Sequence, residues 1–361
     1  MTAAPEMDSL LGQIKEFVRA EVARQLSLLS SATPPPSPLP ANLRQVIQEQ
    51  VCAAHPCARE TRLVPTPVAL PEVAAPLSYA EGLARPPPVT VAASPSVVPL
   101  RPAPRFVQPR IVAKDNLAYA CKIVNMGETS REYRTRFLPR EINILARLRH
   151  PNIARVFQII CEARKVFFIM ELATAGDLLF KIQNAGRLHE RTAHHIFVQL
   201  ASAVAYLHRH NIAHRDLKCE NVLLTTQLVV KLADFSFSRY CTTAAHKKKV
   251  YSETYCGSEA YAPPEVLQGI PYQPKKADMW SLGVVLYVMM TAALPFEDGN
   301  IVRQVRLQMN RVIRFPRYLD STHEYRNLVR VLLEPVTTLR ATMGMVVKHP
   351  WLLLYPDPTN T

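Results

Sequence analysis

The chain has 361 residues, 48% of them hydrophobic and 20% charged, and a formal net charge of +14. These are values of a globular protein with a sizeable core. No apolar run is long enough to cross a bilayer, and the N-terminus has no signal-peptide pattern, so we expect neither a membrane segment nor secretion. The positive charge is not arranged as a basic stripe interleaved with aromatic residues, so we expect no nucleic-acid partner.

The seven cysteines are scattered and include no Cys-x-x-Cys pair. This spacing predicts neither a zinc site nor a disulfide framework. Reduced thiols and the absence of a secretory pattern favour a cytoplasmic location.

The N-terminal third differs from the rest, because 19 of the 31 prolines precede residue 111. Within residues 1–30, apolar residues recur at helical spacing, and this pattern predicts an amphipathic helix. It is either a docking or dimerising helix or one that packs on its own chain, and the pattern does not separate the two. Residues 31–104 are rich in Pro and Ala. This composition predicts a disordered linker, because dense proline removes backbone donors and breaks helices and strands.

Residues 105–352 predict one globular domain, followed by a tail over 353–361. Residues 117–124 alternate like a strand that carries Lys122, and residues 134–149 show a helical apolar stripe that includes Glu141. A strand over 166–172 and a helix over 190–210 follow, and residues 278–283 open a strongly apolar helix.

The central stretch is H-R-D-L-K-C-E-N at residues 214–221. Two short apolar runs follow it, separated by a polar turn, and they predict a hairpin. The hairpin would return Asp234 beside Asn221 and Asp216, which gathers two carboxylates, an amide and the cation of Lys218 in a small volume. A chance polar loop is the alternative, and eight residues in register disfavour it.

These motifs resemble those of eukaryotic serine/threonine protein kinases, and in particular the testis-specific serine/threonine kinase family. Besides the central stretch, the resemblance is carried by R-F-L-P-R-E-I at 136–142, T-Y-C-G-S-E-A-Y at 254–261, E-V-L-Q-G-I-P-Y at 265–272 and W-S-L-G-V-V-L-Y at 280–287. It covers about 240 residues and none of the first 105.

The resemblance implies an α+β, bilobal protein-kinase fold. Its small, mainly β lobe would be truncated or altered, its large lobe mainly α, and the Pro-rich extension disordered. The implied activity is transfer of the γ-phosphate of Mg-ATP to Ser/Thr hydroxyls of protein substrates, in a setting of spermatogenesis. Chaperone or scaffold proteins are further implied partners.

The resemblance also implies a role for each matching residue. Catalysis would use Asp216 and Lys218. ATP would be bound by Lys122, paired with Glu141, and by Met170, Glu171 and Ala173, and magnesium would be held by Asn221 and Asp234. Arg215 would dock a phosphate carried by Thr254 of the activation segment. Asp278 would be structural, as would Glu265 and Arg340, which would form a buried ion pair.

Two departures from the family pattern affect the nucleotide site. No glycine lies between Gly82 and Gly127, so the Gly-rich loop that covers the phosphates is missing. Ser236 replaces the glycine of D-F-G, and a serine with positive φ would cost about 1–2 kcal/mol. These departures keep open the alternative of a pseudokinase or scaffold that binds partners with little or no phosphotransfer.

Overall fold

The structure is a computed structural model that describes residues 110–114, 117–162, 164–242, 251–254, 256–296 and 300–355. The predicted helix over 1–30, the predicted linker over 31–104 and residues 356–361 of the predicted tail lie outside the described residues.

The first part of the domain is a four-stranded antiparallel sheet with one helix. The strand order is β1-β2-β4-β3, and the strands are β1 (Arg110–Lys114), β2 (Leu117–Asn125), β3 (Val156–Glu162) and β4 (Lys165–Glu171). Residue Lys122 of β2 lies opposite Phe168 of β4. A wide π-helical turn, Tyr133–Phe137, leads into helix α1, Leu138–Arg147. The pattern-based strand and helix predictions in this region are confirmed.

Helix α1 buries a stripe of apolar side chains, and Glu141 lies on that stripe. Pro139 in the first turn suits a helix start, because proline lacks only an N–H that has no partner there. Leu138, Ile142 and Leu145 pack into the core and carry Glu141 with them, so that its side chain is only 1% exposed. A carboxylate in that position needs a charged or hydrogen-bonding partner.

The second part of the domain is mainly helical. Its helices are α2 (Leu178–Ala185), α3 (Glu190–Arg209), α4 (Pro264–Leu267), α5 (Pro274–Thr291), α6 (Ile301–Met309), α7 (His323–Leu332), α8 (Met343–Val346) and α9 (Pro350–Leu353). One hydrophobic core joins α3, α5 and α7 and extends to α1 and the sheet. None of the described helices has both the length and the apolar character that crossing a membrane requires.

Helix α5 lies at the centre of this part and is buried along nearly its whole length. Gly283 allows α7 to approach closely, since a Cβ there would lie 2.7 Å from Cβ of Leu332. The prediction that residue 278 opens this helix is wrong, because the helix begins at Pro274. Asp278 therefore lies one turn inside, where its carboxylate is enclosed by protein.

Two short sheets frame the central stretch. Strands β5 (Ile212–Ala213) and β8 (Arg239–Tyr240) pair with each other, and β6 (Val222–Leu224) and β7 (Val230–Leu232) form the predicted hairpin. The loop from 214 to 221 thus runs between β5 and β6, and Asp234 follows β7. A small antiparallel sheet with one helix, followed by a mainly helical part, agrees with the predicted α+β, bilobal kinase-like fold class.

Candidate active site

The side chain of Asp278 fixes the backbone of the central loop, residues 214–221. Its carboxylate is fully buried and accepts the N–H groups of His214 at 2.9 Å and Arg215 at 2.8 Å. The ring of His208 adds a third contact at 2.8 Å. These bonds hold Arg215 at φ 67°, a left-handed conformation that costs a non-glycine residue energy. The loop that carries Asp216 is therefore rigidly placed.

The Asp216 carboxylate collects four hydrogen-bond donors. Oδ2 lies 3.1 Å from Nδ2 of Asn221 and 3.2 Å from Nζ of Lys218. Oδ1 accepts from the backbone N–H of Ser258 at 2.9 Å and from its hydroxyl at 3.1 Å. The hydroxyl also accepts a hydrogen bond from Nζ of Lys218 at 2.9 Å. The structure thus shows a serine hydroxyl held between a carboxylate and an ammonium group.

Sequence reasoning assigned no role to Ser258, although the residue belongs to the T-Y-C-G-S-E-A-Y segment. Its contact with Asp216 depends on Gly257, which has φ 95° and lies against the central loop. A Cβ on Gly257 would come within 2.5 Å of the carbonyl oxygen of Arg215. The glycine between Cys256 and Ser258 was the available signal for a close approach of two backbones.

A second cluster lies between the sheet, α1 and the segment after β7. Nζ of Lys122 lies 2.6 Å from Oε1 of Glu141, 3.1 Å from Oδ1 of Asp234 and 2.9 Å from Oγ of Ser236. The hydroxyl of Tyr133 donates to Oε2 of Glu141 at 3.1 Å. The resemblance paired Lys122 with Glu141, whereas sequence reasoning placed Asp234 beside Asn221 and Asp216. The contact of Asp234 with Lys122 and the two hydroxyl groups were not predicted.

Mutual attraction fixes the charges of Lys122 and Asp234, whereas burial raises the pKa of Glu141 above its ordinary value. Burial disfavours the ammonium form of Lys122, but Asp234 and Glu141 outweigh burial and raise the pKa of Lys122 above its ordinary value of 10.5. Burial likewise disfavours ionised Asp234, yet Lys122 and the Ser236 hydroxyl hold the pKa of Asp234 below 3.8. Lys122 is therefore a cation and Asp234 an anion at neutral pH.

One oxygen of this cluster is left over. Oδ2 of Asp234 is buried and has no hydrogen-bond partner among the described residues. A buried carboxylate oxygen without a partner is costly unless a cation or a donor reaches it. Asn221 lies beside the Asp234 segment, because the backbone carbonyl of Asn221 accepts the N–H of Ala233 at 2.9 Å. Carboxylate and amide oxygens are the ligand type that Mg²⁺ prefers, so the residues present fit this ion.

The predicted adenine-binding segment begins at the end of β4 and continues beyond it. The half-buried Met170 lies opposite Ala120 of β2. The N–H of Glu171 donates to the carbonyl of Arg155 at 2.8 Å, and the Glu171 carboxylate lies 2.6 Å from Nζ of Lys231. The N–H and the side chain of Glu171 therefore have partners within the protein, so its contact with an adenine would be made by the carbonyl. Ala173 is half-buried two residues further on.

Among the described residues, the Arg215 guanidinium makes no hydrogen bond to the side chain of unphosphorylated Thr254. Its guanidinium donates to the carbonyl of Phe237 at 2.7 Å, to Oγ of Ser252 at 2.9 Å and to the hydroxyl of Tyr272 at 3.5 Å. The same tyrosine hydroxyl donates to the carbonyl of Thr254 at 3.1 Å. The link between Arg215 and Thr254 is thus indirect in this structure.

The surroundings of Arg215 are strongly basic. Burial, followed by the charges of Arg215, Arg239 and Arg136, lowers the pKa of Arg140 to about 10. Nη2 of Arg215 and Nε of Arg239 are buried and lack a hydrogen-bond partner among the described residues. Crowded guanidinium groups with unpaired donors favour an anion.

The predicted structural pair, Glu265 and Arg340, forms a bidentate contact. The two nitrogen–oxygen distances are 2.6 and 2.9 Å, and both side chains are nearly inaccessible to solvent.

A family model described as protein kinase domain matches residues 107–352 of this sequence. The chain belongs to the protein kinase family.

Within this family, the chain is similar to testis-specific serine/threonine kinases. It is 43% identical over 234 residues to testis-specific serine/threonine-protein kinase 2 of Mus musculus, which covers 64% of this chain and 65% of that protein. The identity is also 43% with kinase 1 of Homo sapiens, over 64% of each chain, and with kinase 3 of Mus musculus, over 64% of this chain and 85% of that protein. The matched region thus spans slightly less than two thirds of the first two relatives.

Proposed function

We propose that this protein is a serine/threonine protein kinase that transfers the γ-phosphate of Mg-ATP to hydroxyl groups of protein substrates. The observation that carries the proposal is the Ser258 hydroxyl, which donates to Asp216 at 3.1 Å and accepts from Lys218 at 2.9 Å. An attacking serine or threonine hydroxyl needs the same two contacts, one to orient or accept its proton and one to balance negative charge.

The proposal gives each remaining residue a task. Lys122, held by Glu141, would contact the inner phosphates of ATP. Asp234, through Oδ2, and Asn221 would hold Mg²⁺, which neutralises charge on the transferred phosphoryl group. Met170, the Glu171 carbonyl and Ala173 would contact the adenine. Protein substrates and a cytoplasmic location belong to the same proposal.

The alternative is a pseudokinase or scaffold that binds protein partners with little or no phosphotransfer. One observation favours it besides the missing glycines. The ammonium group of Lys122 has three N–H donors, and it already has partners in Glu141, Ser236 and Asp234. A phosphate must therefore displace one of these contacts, and no Gly-rich backbone is present in the sequence to help it.

Phosphate transfer distinguishes the two functions. The full-length chain is incubated with labelled Mg-ATP and a generic Ser/Thr substrate, beside Asp216→Asn and the matched control Asp320→Asn, whose carboxylate is exposed and outside the site. The kinase proposal predicts that Asp216→Asn lowers the transfer rate by about 10²- to 10⁴-fold, whereas Asp320→Asn does not change it. Transfer by the unmodified, folded chain no faster than by Asp216→Asn would support the pseudokinase.

We also propose that a phosphate on Thr254 activates the kinase by binding the basic cluster around Arg215. Tyr272 already links the two, and the unpaired nitrogens of Arg215 and Arg239 offer donors for a phosphate. Mass spectrometry of active protein should find phosphate on Thr254, and Thr254→Ala should reduce transfer. Full activity of Thr254→Ala would contradict this regulatory role.

A further inference from the structure

We propose that the hydroxyl of Ser236 is a positioning group for the cation site. It holds the Asp234 carboxylate by Oδ1 and so reserves Oδ2 for Mg²⁺, and it braces Lys122 between two carboxylates. This inference rests on the proposed kinase function. It assigns a role to Ser236, which stands where the family pattern has glycine.

The geometry of Ser236 is that of a fully engaged hydroxyl. The residue is 2% exposed. Its Oγ donates to Oδ1 of Asp234 at 2.6 Å and accepts from Nζ of Lys122 at 2.9 Å. Oε1 of Glu141 also lies 3.4 Å from Oγ, but a hydroxyl has one proton and the shorter contact to Asp234 takes it.

The two oxygens of Asp234 consequently differ. Oδ1 receives three donors: the Ser236 hydroxyl, the Ser236 N–H at 3.2 Å and Nζ of Lys122 at 3.1 Å. Oδ2 receives none from the described residues. Rotation of the carboxylate would break all three bonds to Oδ1, and bonds to an ionised acceptor are the strong ones. The hydroxyl therefore contributes directly to keeping Oδ2 available.

Ser236 makes these contacts without backbone strain. The predicted cost of serine with positive φ is wrong, because the left-handed residue of this segment is Asp234, with φ 59°, whereas Ser236 does not have a positive φ. The family's glycine has no hydroxyl, so replacing it with serine adds a hydrogen-bond donor and acceptor to the site.

This added group matters more in this chain than it would beside a complete phosphate lid. No glycine lies between residues 82 and 127, so the sequence offers no Gly-rich backbone for the phosphates. Binding of Mg-nucleotide then depends more heavily on the cation and on Lys122. A hydroxyl that orients both should appear as a change in the Mg²⁺ dependence of nucleotide binding.

Ser238 provides a matched control for a purely structural role. It is 1% exposed and lies two residues further along the same segment. Its hydroxyl donates at 2.6 Å to the backbone carbonyl of Phe235, not to the ion cluster. Removing it tests the loss of a buried hydroxyl without disturbing Asp234 or Lys122.

The experiment measures binding of ATP to the full-length chain by calorimetry, with and without MgCl₂ and across a Mg²⁺ titration. The variants are Ser236→Ala, Ser236→Gly, Ser236→Thr and Ser238→Ala, each checked for folding by circular dichroism. We expect Ser236→Ala and Ser236→Gly to need about tenfold more Mg²⁺, a change typical of one lost hydrogen bond to a charged group. Ser236→Thr should restore the unmodified behaviour, and Ser238→Ala should retain it. If Ser236→Ala fails to fold, Ser236→Gly, which carries the family residue, gives the answer.

Each outcome is decisive. An unchanged Mg²⁺ dependence in Ser236→Gly or Ser236→Ala would overturn the inference while leaving the kinase proposal intact. An equal loss in Ser236→Ala and Ser238→Ala would also overturn it, because a general packing effect would then explain both. Failure of the unmodified chain to bind Mg-ATP would overturn the kinase proposal itself and the inference with it.

Discussion

Two buried charge clusters in this kinase domain differ in whether all their polar atoms have hydrogen-bond partners. Arg340 has five N–H donors, and all of them have acceptors. Two bond the Glu265 carboxylate, and three bond the carbonyls of Glu334, Lys276 and Pro335. The cluster around Lys122 instead leaves Oδ2 of Asp234 without a partner among the described residues.

The difference teaches how to separate structural charge from functional charge. A buried ion pair whose atoms are all satisfied has nothing left with which to bind a ligand, and losing either partner strands the other in a medium of low polarity. A buried cluster with an oxygen left over retains a place for a cation. The same physical rule supports the structural role predicted for Glu265 and Arg340 and the cation-binding role proposed for Asp234.

The largest expected effect comes from breaking the satisfied cluster. Arg340→Met removes the hydrogen-bond donors to the Glu265 carboxylate and to three backbone carbonyls. The free energy of unfolding should therefore fall by about 3–5 kcal/mol. The measurement is equilibrium urea denaturation. The control is Arg311→Met, whose 2.6 Å pair with Glu334 involves a half-exposed arginine and should contribute less than about 1 kcal/mol. Equal losses from the two variants would contradict the distinction between satisfied buried pairs and exposed ones.

A smaller effect is expected from the hydroxyl that braces Glu141. Tyr133→Phe removes the donor to Oε2 and should lower the free energy of unfolding by about 1–3 kcal/mol, because it leaves an oxygen of a buried carboxyl group without that hydrogen bond. Tyr325→Phe is a matched control, since its hydroxyl lies 3.4 Å from the neutral carbonyl of Leu286. A loss in Tyr325→Phe as large as that in Tyr133→Phe would show that the bond to the Glu141 carboxyl group stabilises the fold no more than a bond to a backbone carbonyl.

The third expected effect is a decrease in the free energy of unfolding as the pH falls. The folded-state pKa of Asp234 lies below 3.8, so the unfolded state binds more protons near that pH. Its contribution is present above about pH 4 and is lost as the pH falls through the folded-state value. The stability of the unmodified chain should therefore converge with that of Asp234→Asn as the pH falls below 4. A constant difference between the two unfolding curves would contradict the ion pair.

The sequence could predict much of the site, because the elements that carry it have strong local signals. Strand β2 with Lys122 and helix α1 with Glu141 follow from periodicity, and the hairpin of β6 and β7 returns Asp234 towards Asn221. The pairing of Glu265 with Arg340 was also inferred, but only through the resemblance to kinases. Their separation of 75 residues gives no local signal.

Other features depended on distant packing. Ser258 reaches Asp216 across 42 residues, and Ser236 reaches Lys122 across 114. The resemblance implied that Arg215 would dock a phosphate on Thr254, but it did not indicate that the guanidinium donates to Ser252 and Phe237 when that phosphate is absent. No pattern in the chain records which of several nearby acceptors a buried side chain will use.

By itself, the sequence determined the class of fold, the order of the elements and the identity of the charged residues, because hydrophobic periodicity and turn residues act over a few positions. Only the tertiary structure decided which atoms of those residues are satisfied. Burial makes an unpaired oxygen or nitrogen costly, and burial is a property of the folded chain as a whole. Oδ2 of Asp234 could be proposed as a cation ligand only when the neighbouring donors of the described residues had been placed.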